Sequence, residues 1–365
     1  MKTTQLIFLS VVSLAATSFA VDPPPDGGYP NFNNAEGDDA LFSLTTGTDN
    51  TAVGANALYN NTTGFGNTAM GSWAASNASN AGSRNTATGA YALQHNDSND
   101  NTATGYFAMQ GDGDFVSVTG SNNTANGSEA LHWLTNGSNN TATGASAMSG
   151  ADFVDILGSN NTATGFEALS SINSGTNNTA NGVDALFSNT SGNNNTGSGN
   201  LALYANTTGF NNTATGVSAL TANTTGNYNT ADGQGSLSAN TTGSNNAALG
   251  QNALLKNTIG KSNIAIGSNA GFNLTTGSSN IDIGNRGVAG ESKVIRVGIQ
   301  GTQTATFVAG ISGATVPSGV GVIVDTNGHL GTVVSSQQFK DDIRPMDKAS
   351  EAILALKPVS FRYKK

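Results

Sequence analysis

The chain has 365 residues, of which 10% are charged and 47 are glycine, with a net charge of −9 and no cysteine. This excludes disulfide scaffolds, zinc–thiolate sites and thiol catalysis, and offers no basic footprint for phosphates, so nucleic acid is not an expected partner. Such a chain builds no thick core, yet its low charge also separates it from the highly charged disordered sequences.

Residues 1–20, MKTTQLIFLSVVSLAATSFA, open on Lys2, run through an apolar stretch and close on Ser18-Phe19-Ala20. This is the layout of a signal peptide cleaved after Ala20, and the apolar stretch is short for a membrane span. The mature chain is therefore expected to be secreted or at the cell surface, with no integral membrane segment. Residues 21–39 gather Pro23, Pro24, Pro25 and Pro30 and read as a flexible leader; the next proline is Pro317. Proline removes a ladder donor, so its absence from the long middle of the chain suits a continuous hydrogen-bonded ladder.

Residues 40–284 carry a repeat. The pattern Asn-Thr-Ala-x-Gly starts at Asn50, Asn67, Asn85, Asn101, Asn123, Asn140 and Asn161, then recurs every 17 residues through Asn280. A fixed period signals a solenoid or stacked array. Numbering stations from each starting Asn, station 5 is Gly from Gly54 to Gly284, and stations 8 and 9 are usually Ala-Leu, as at Ala168-Leu169. A second turn signal, Asn-Thr-Thr-Gly, follows at 206–209, 223–226 and 240–243. Such a unit is too short for paired helices but has room for two strands joined by Asn/Gly corners. The expected fold is all-β: a parallel β-roll or solenoid of about 14 coils. Asn residues would stack as ladders, with Ala and Leu filling a narrow interior.

The spacing lengthens to 22 between Asn101 and Asn123 and to 21 between Asn140 and Asn161. The insertions are alike, Gly113-Asp114-Phe115-Val116 and Ala151-Asp152-Phe153-Val154. Either Phe115 and Phe153 form an aromatic binding patch, or they pack down on the roll or between chains. The sequence favours the second reading.

Residues 262–271 read SNIAIGSNAG. This segment resembles the head repeats of YadA-like trimeric autotransporter adhesins, which are left-handed β-rolls. The resemblance, over about residues 40–284, implies a left-handed homotrimeric roll with a cell-surface, matrix or carbohydrate ligand. The period here is longer than in that family, and Thr stands where the family prefers aliphatics.

Residues 285–334 read as a β neck, with strands at 293–299 and 304–311 and a hairpin of 320–325 with 329–334 around Asn327-Gly328. In residues 335–365, Ala349, Ala352, Ile353 and Leu356 have helical spacing after Asp347, and Pro358 ends the helix before a strand at 359–363. The order and spacing of Ser335, Lys340, Ile343, Leu356, Pro358, Val359 and Phe361 resemble the opening of the intramolecular chaperone domain of phage endosialidase-type tail spikes, a self-cleaving serine peptidase family. The resemblance implies a partial chaperone domain that trimerises the fibre, with Ser335 as nucleophile, Lys340 as base and Val334–Ser335 as the bond cut. A lysine of lowered pKa activates a serine hydroxyl in this way. Ser336 and Gln338 stand where the family has an acidic residue and an Arg, and the chain ends at Lys365 before the family's further helices. A chaperone remnant that does not cut is therefore the other reading.

Together these features describe an exported structural or adhesive fibre: a homotrimeric β-roll shaft with a C-terminal trimerisation element. It would need no cofactor or metal, and its enzymatic activity would at most be self-cleavage. One alternative is a monomeric ligand- or ice-binding solenoid built on pairs such as Thr86/Thr88 and Thr213/Thr215. Val53, Asn126, Asp232, Leu249 and Ile283 interrupt that array. Another is a tail-spike-like carbohydrate-active protein, but Asp97, Asp112, Glu129, Glu167 and Asp232 are scattered where glycoside chemistry wants paired carboxylates.

Overall fold

The computed structural model describes residues 28–77, 82–111, 117–150, 155–311 and 321–332. Its contacts divide into one unit ending at Gly298 and another beginning at Ile299. The first unit is a parallel β-solenoid of about 15 turns.

Each turn contributes one short strand, at stations 2 to 4. The strands run in register from coil to coil, with Thr162, Ala163 and Thr164 opposite Thr179, Ala180 and Asn181. Thr faces out and Ala faces in, as the period-2 alternation of a strand requires. The ladder takes in Asn33–Glu36, which pairs antiparallel with Gly28–Tyr29 and parallel with Thr51–Val53. Asn33-Asn34-Ala35-Glu36-Gly37 is thus a further copy of the repeat, with Asn34 in place of Thr, and it lies inside the segment 21–39 that the sequence suggested was a flexible leader. At the other end Ile295–Val297 pairs with Ile281–Ile283 as a last rung.

The room for a second strand in each coil is used differently. Stations 7 and 9 are left-handed in most coils although they are seldom glycine, as at Glu167 (φ 52°) and Leu169 (φ 57°). The chain therefore turns tightly twice. Alternate amides still reach the next coil: the Leu169 N–H donates to Ala185 O and the Ser171 N–H to Phe187 O, both at 2.9 Å. Stacking is thereby kept around the coil although only one segment is a regular strand.

The interior is narrow. Ala163, Ala168 and Leu169 are fully buried, as are their counterparts along the rod. Two asparagine ladders run beside them. At station 1, the Asn212 N–H donates to Asn195 Oδ1 at 3.0 Å, and its Nδ2 donates to the same oxygen at 3.2 Å and to Gly226 O at 2.8 Å. At station 12, Asn223 Nδ2 donates to Asn206 Oδ1 at 2.8 Å and to Gly226 O at 3.0 Å. The amides thus satisfy one another and the corner carbonyls, which is what allows polar side chains inside a coil. The second ladder ends at Asn257, whose Oδ1 has no partner because the next coil places Leu274 at that station.

In the second unit Val322–Val324 pairs antiparallel with Leu330–Thr332, the core of the expected hairpin. Asp325 Oδ1 closes its turn by accepting the N–H groups of Asn327 (2.8 Å) and His329 (2.9 Å). The strand expected at 304–311 does not form, since that segment has no ladder partner among the described residues. No helix among the described residues is long and apolar enough to cross a membrane.

Candidate binding surface

The surface of the solenoid inherits the repeat, so equal stations line up as tracks along the rod. The strand face is the first track. From Thr86–Thr88 to Thr213–Thr215 it is mostly hydroxyl, with Thr162 and Thr164 exposed on either side of buried Ala163. Towards the C-terminal end it turns aliphatic. Ala247, Ile264, Ile281 and Ile295 form one column in register, and Leu249, Ile266, Ile283 and Val297 the other. These are not incidental contacts with solvent, since Leu249 is 51% and Val297 70% exposed. A contiguous exposed apolar patch of this kind marks an interaction surface.

The second track is station 10 with its neighbours. Phe42 stacks on Tyr59 with ring centroids 5.1 Å apart, and Phe187 on Tyr204 at 5.2 Å. Between these pairs lies a larger cluster. Phe107 packs 5.0 Å from Tyr91, 4.1 Å from Tyr106 and 5.6 Å from His132, whose ring lies 4.8 Å from Trp133. Beside the rings runs a polar chain: Gln110 Nε2 donates to Gln94 Oε1 at 2.8 Å, and Gln110 Oε1 lies 2.7 Å from His132 Nε2. Both insertions are rooted here. The Gly111 N–H donates to His132 O, and Val118 returns with its N–H on His95 O. After the second insertion the Ile156 N–H donates to Trp133 O.

A third feature lies inside the last coils. Asp282 occupies station 3, where nearly every other coil has Ala, and its carboxylate is buried with no hydrogen-bond partner. Its ladder neighbour Arg296 is engaged elsewhere, donating to Glu291 at 2.6 Å. Burial, then the Glu291 charge, push the Asp282 carboxyl up to about 6, with Arg296 opposing. The folded coil therefore keeps this proton well above the pH at which an unfolded chain releases it, so ν_N exceeds ν_U between about pH 4 and 6. Stability of these coils accordingly falls as pH rises through that window and is flat above it. Asp282→Ala is expected to remove the fall and to raise their stability at pH 7.5 by at most about 3 kcal/mol, with no gain below pH 4. Hydrogen exchange of the Ile264–Ile266 and Ile281–Ile283 amides across this range reads the effect directly. A variant as pH-dependent as the parent would contradict it.

Of the residues singled out in the sequence, Phe115, Phe153, Val334, Ser335 and Lys340 lie outside the described residues. The rings of the cluster form no motif along the chain, because Tyr91, the pair Tyr106-Phe107 and the pair His132-Trp133 come from three successive coils. Aligning the coils by station would have brought them together. Comparison with family models, curated proteins and solved structures finds no match.

Proposed function

We propose that the protein is an exported structural or adhesive fibre whose solenoids associate as a homotrimer. The observation that carries this reading is the aliphatic end of the strand face, two exposed columns running in register over consecutive rungs. A closed cyclic assembly buries the same strip on every copy and leaves no open edge for runaway growth. Covering these side chains contributes about 25 cal/mol for each Å² removed from water. The rod supports the role mechanically, since each coil bonds to both neighbours around its section. The number three comes from the resemblances to YadA-like heads and to the tail-spike chaperone. In the latter, residues 335–365 act as a trimerisation element, with Ser335 and Lys340 cutting at Val334–Ser335 if the segment retains activity.

Light scattering after size exclusion on residues 21–365 tests the assembly. Three copies per particle are expected, and Ile266→Glu combined with Ile283→Glu should yield monomers with an unchanged far-ultraviolet spectrum. Both side chains are exposed in the single rod, so the substitutions leave its interior intact. A wild-type chain that stays monomeric, or a double variant that stays trimeric, would show that the strip is not the seam. Intact mass on the same peak reports cleavage, which would leave a fragment ending at Val334.

A further inference from the structure

We propose that the last three coils carry a binding site for an anionic polysaccharide, built from Lys256, Lys261, Arg286 and Lys293. This gives the adhesive reading a ligand class and takes its biological meaning from that reading. The four cations belong to one chain, however, so the site does not require the rods to associate.

The net charge of −9 hides a segregation. From Gly28 to Gly250 the only Lys or Arg is Arg84, which pairs with Asp100 at 2.7 Å. Every other cation up to Gly298, namely Lys256, Lys261, Arg286, Lys293 and Arg296, falls in the last three coils. Acidic residues show the reverse, since only Asp282 and Glu291 follow Asp232 in this unit. Asp282 is buried and Glu291 is held by Arg296, so neither offsets the surface charge. Lys256, Lys261, Arg286 and Lys293 are exposed and take no part in the ion pairs of the described residues.

Stacking brings these cations together in two places. Lys256 Nζ lies 4.6 Å from the centroid of the Phe272 ring, and the Arg286 guanidinium carbon lies 5.6 Å from the same centroid. One ring thus gathers two like charges, whose repulsion its negative face offsets only in part. A bound anion offsets the rest. Lys261 and Lys293 flank Ser278: the Lys261 N–H donates to Ser278 Oγ at 3.0 Å and the Lys293 N–H to Ser278 O at 2.9 Å. They are therefore two coils apart, about 10 Å at the rise of a parallel ladder.

The size and surroundings of the patch select the polymer. Towards the N-terminus the rod is acidic through Asp232, Asp184 and Glu167, so a stiff polyanion laid along it meets repulsion. Duplex DNA, with a charge about every 1.7 Å, calls for a longer basic footprint. An acidic glycan bears its carboxylates or sulfates singly along a flexible chain. That suits pairs of cations set coils apart, and the rest of the polymer can turn away from the acidic stretch. None of the four cations belongs to the two aliphatic columns of the strand face. A closed assembly therefore repeats the patch on each copy and gains avidity.

Fluorescence anisotropy of labelled heparin and oligogalacturonate fragments, titrated with residues 21–365 at low ionic strength, tests the site. Dextran oligosaccharides and a short DNA duplex serve as controls. Binding of at least one acidic glycan is expected, and it should weaken as added salt screens the charges. Lys256→Gln combined with Arg286→Gln should lower the affinity about tenfold, in line with the modest contribution of exposed charge pairs. Arg84→Gln also removes a cation, but from the acidic stretch, and should leave binding unchanged. All three side chains are exposed, and unchanged urea unfolding confirms the fold of each variant. Failure of the wild-type to bind either acidic glycan overturns the proposal. So does affinity that the double variant retains, equal binding of dextran, or tighter binding of the duplex, which would make the ligand a nucleic acid. Light scattering on the same samples separates this outcome from the fate of the trimer. A monomer that binds upholds the glycan site and sinks the trimer, whereas a trimer that leaves both probes free does the reverse.

Discussion

Replacing Gly182 with alanine should cost the solenoid about 4 kcal/mol or more and divide its unfolding into two transitions. Gly182 has φ 140°, a conformation that side-chain-bearing residues scarcely adopt, and a methyl group there would lie 2.6 Å from Gly199 O and 2.7 Å from Gly199 C. Both contacts are backbone of the next coil, so no side chain can swing away to relieve them. The Gly182 N–H also donates to Thr164 O at 2.8 Å, so a shift that relieved one side would stretch the other. In a one-dimensional array each coil touches only its neighbours, and stability is a sum of coil and interface contributions. A single damaged interface therefore acts as a break between two shorter rods. Gly284→Ala is the matched control. Its φ is 59° and its Cβ would meet nothing within 4 Å, leaving only the left-handed penalty of about 1–2 kcal/mol. Urea unfolding followed by circular dichroism, with hydrogen exchange to locate the break, compares the two. Equal midpoints would show that the close glycine stack is not what limits the coil.

Asn212→Ala is expected to cost about 3–5 kcal/mol, because it strips several buried groups of partners at once. The N–H and Nδ2 of Asn229 lose their shared acceptor Oδ1, now at 3.0 and 3.1 Å, while Gly226 O and Asn195 Oδ1 each lose a donor. All of the side chains involved are buried, so water does not substitute. Asn212→Asp separates the two halves of the amide. It keeps an oxygen for Asn229 but turns the other towards Gly226 O and Asn195 Oδ1, both acceptors. Its damage should be as severe as that of Ala at pH 7 and milder once the carboxyl is protonated. Asn181→Ala provides the contrast, since that side chain lies exposed on the strand face and its loss should change stability by less than about 0.5 kcal/mol. If Asn181→Ala and Asn212→Ala unfolded alike, the ladder would have to be a passive filler.

The contrast between these asparagines also marks how far the sequence reads. Period, strict Gly at station 5, Asn at station 1 and the missing prolines determine a parallel all-β solenoid by themselves, because every coil must repeat the same backbone to stack on its neighbour. They determine its interior as well: Ala at stations 3 and 8 and Leu at station 9 repeat because the coil is too narrow for anything larger at most of those positions. The first rung at Asn33–Glu36 was legible in principle from Asn33, Ala35 and Gly37, but Asn34 stands where the pattern has Thr and the rung lies within the proline-bearing leader. That the second segment bends through left-handed Glu167 and Leu169 was not legible, since nothing in a leucine advertises positive φ; the conformation is imposed by the coils above and below.

The functional surfaces divide in the same way. The aliphatic strip could be anticipated from Leu249, Ile264, Ile266, Ile281 and Ile283, yet only the register shows that Ile295 and Val297, outside the repeat, continue the same two columns. The aromatic cluster is purely a product of folding. Tyr91 and Trp133 are far apart in sequence, and the rod brings them within one patch because each coil advances the chain by a single strand spacing. Asp282 looks like one more substitution at a repeat position. It becomes a buried, unpartnered carboxylate only because the neighbouring coils close over station 3 and Arg296 turns to Glu291. Local sequence thus sets what one coil is, through backbone geometry repeated at each station. Tertiary stacking decides which side chains meet, because contacts between coils are made at a distance of one period and not between neighbours in the chain.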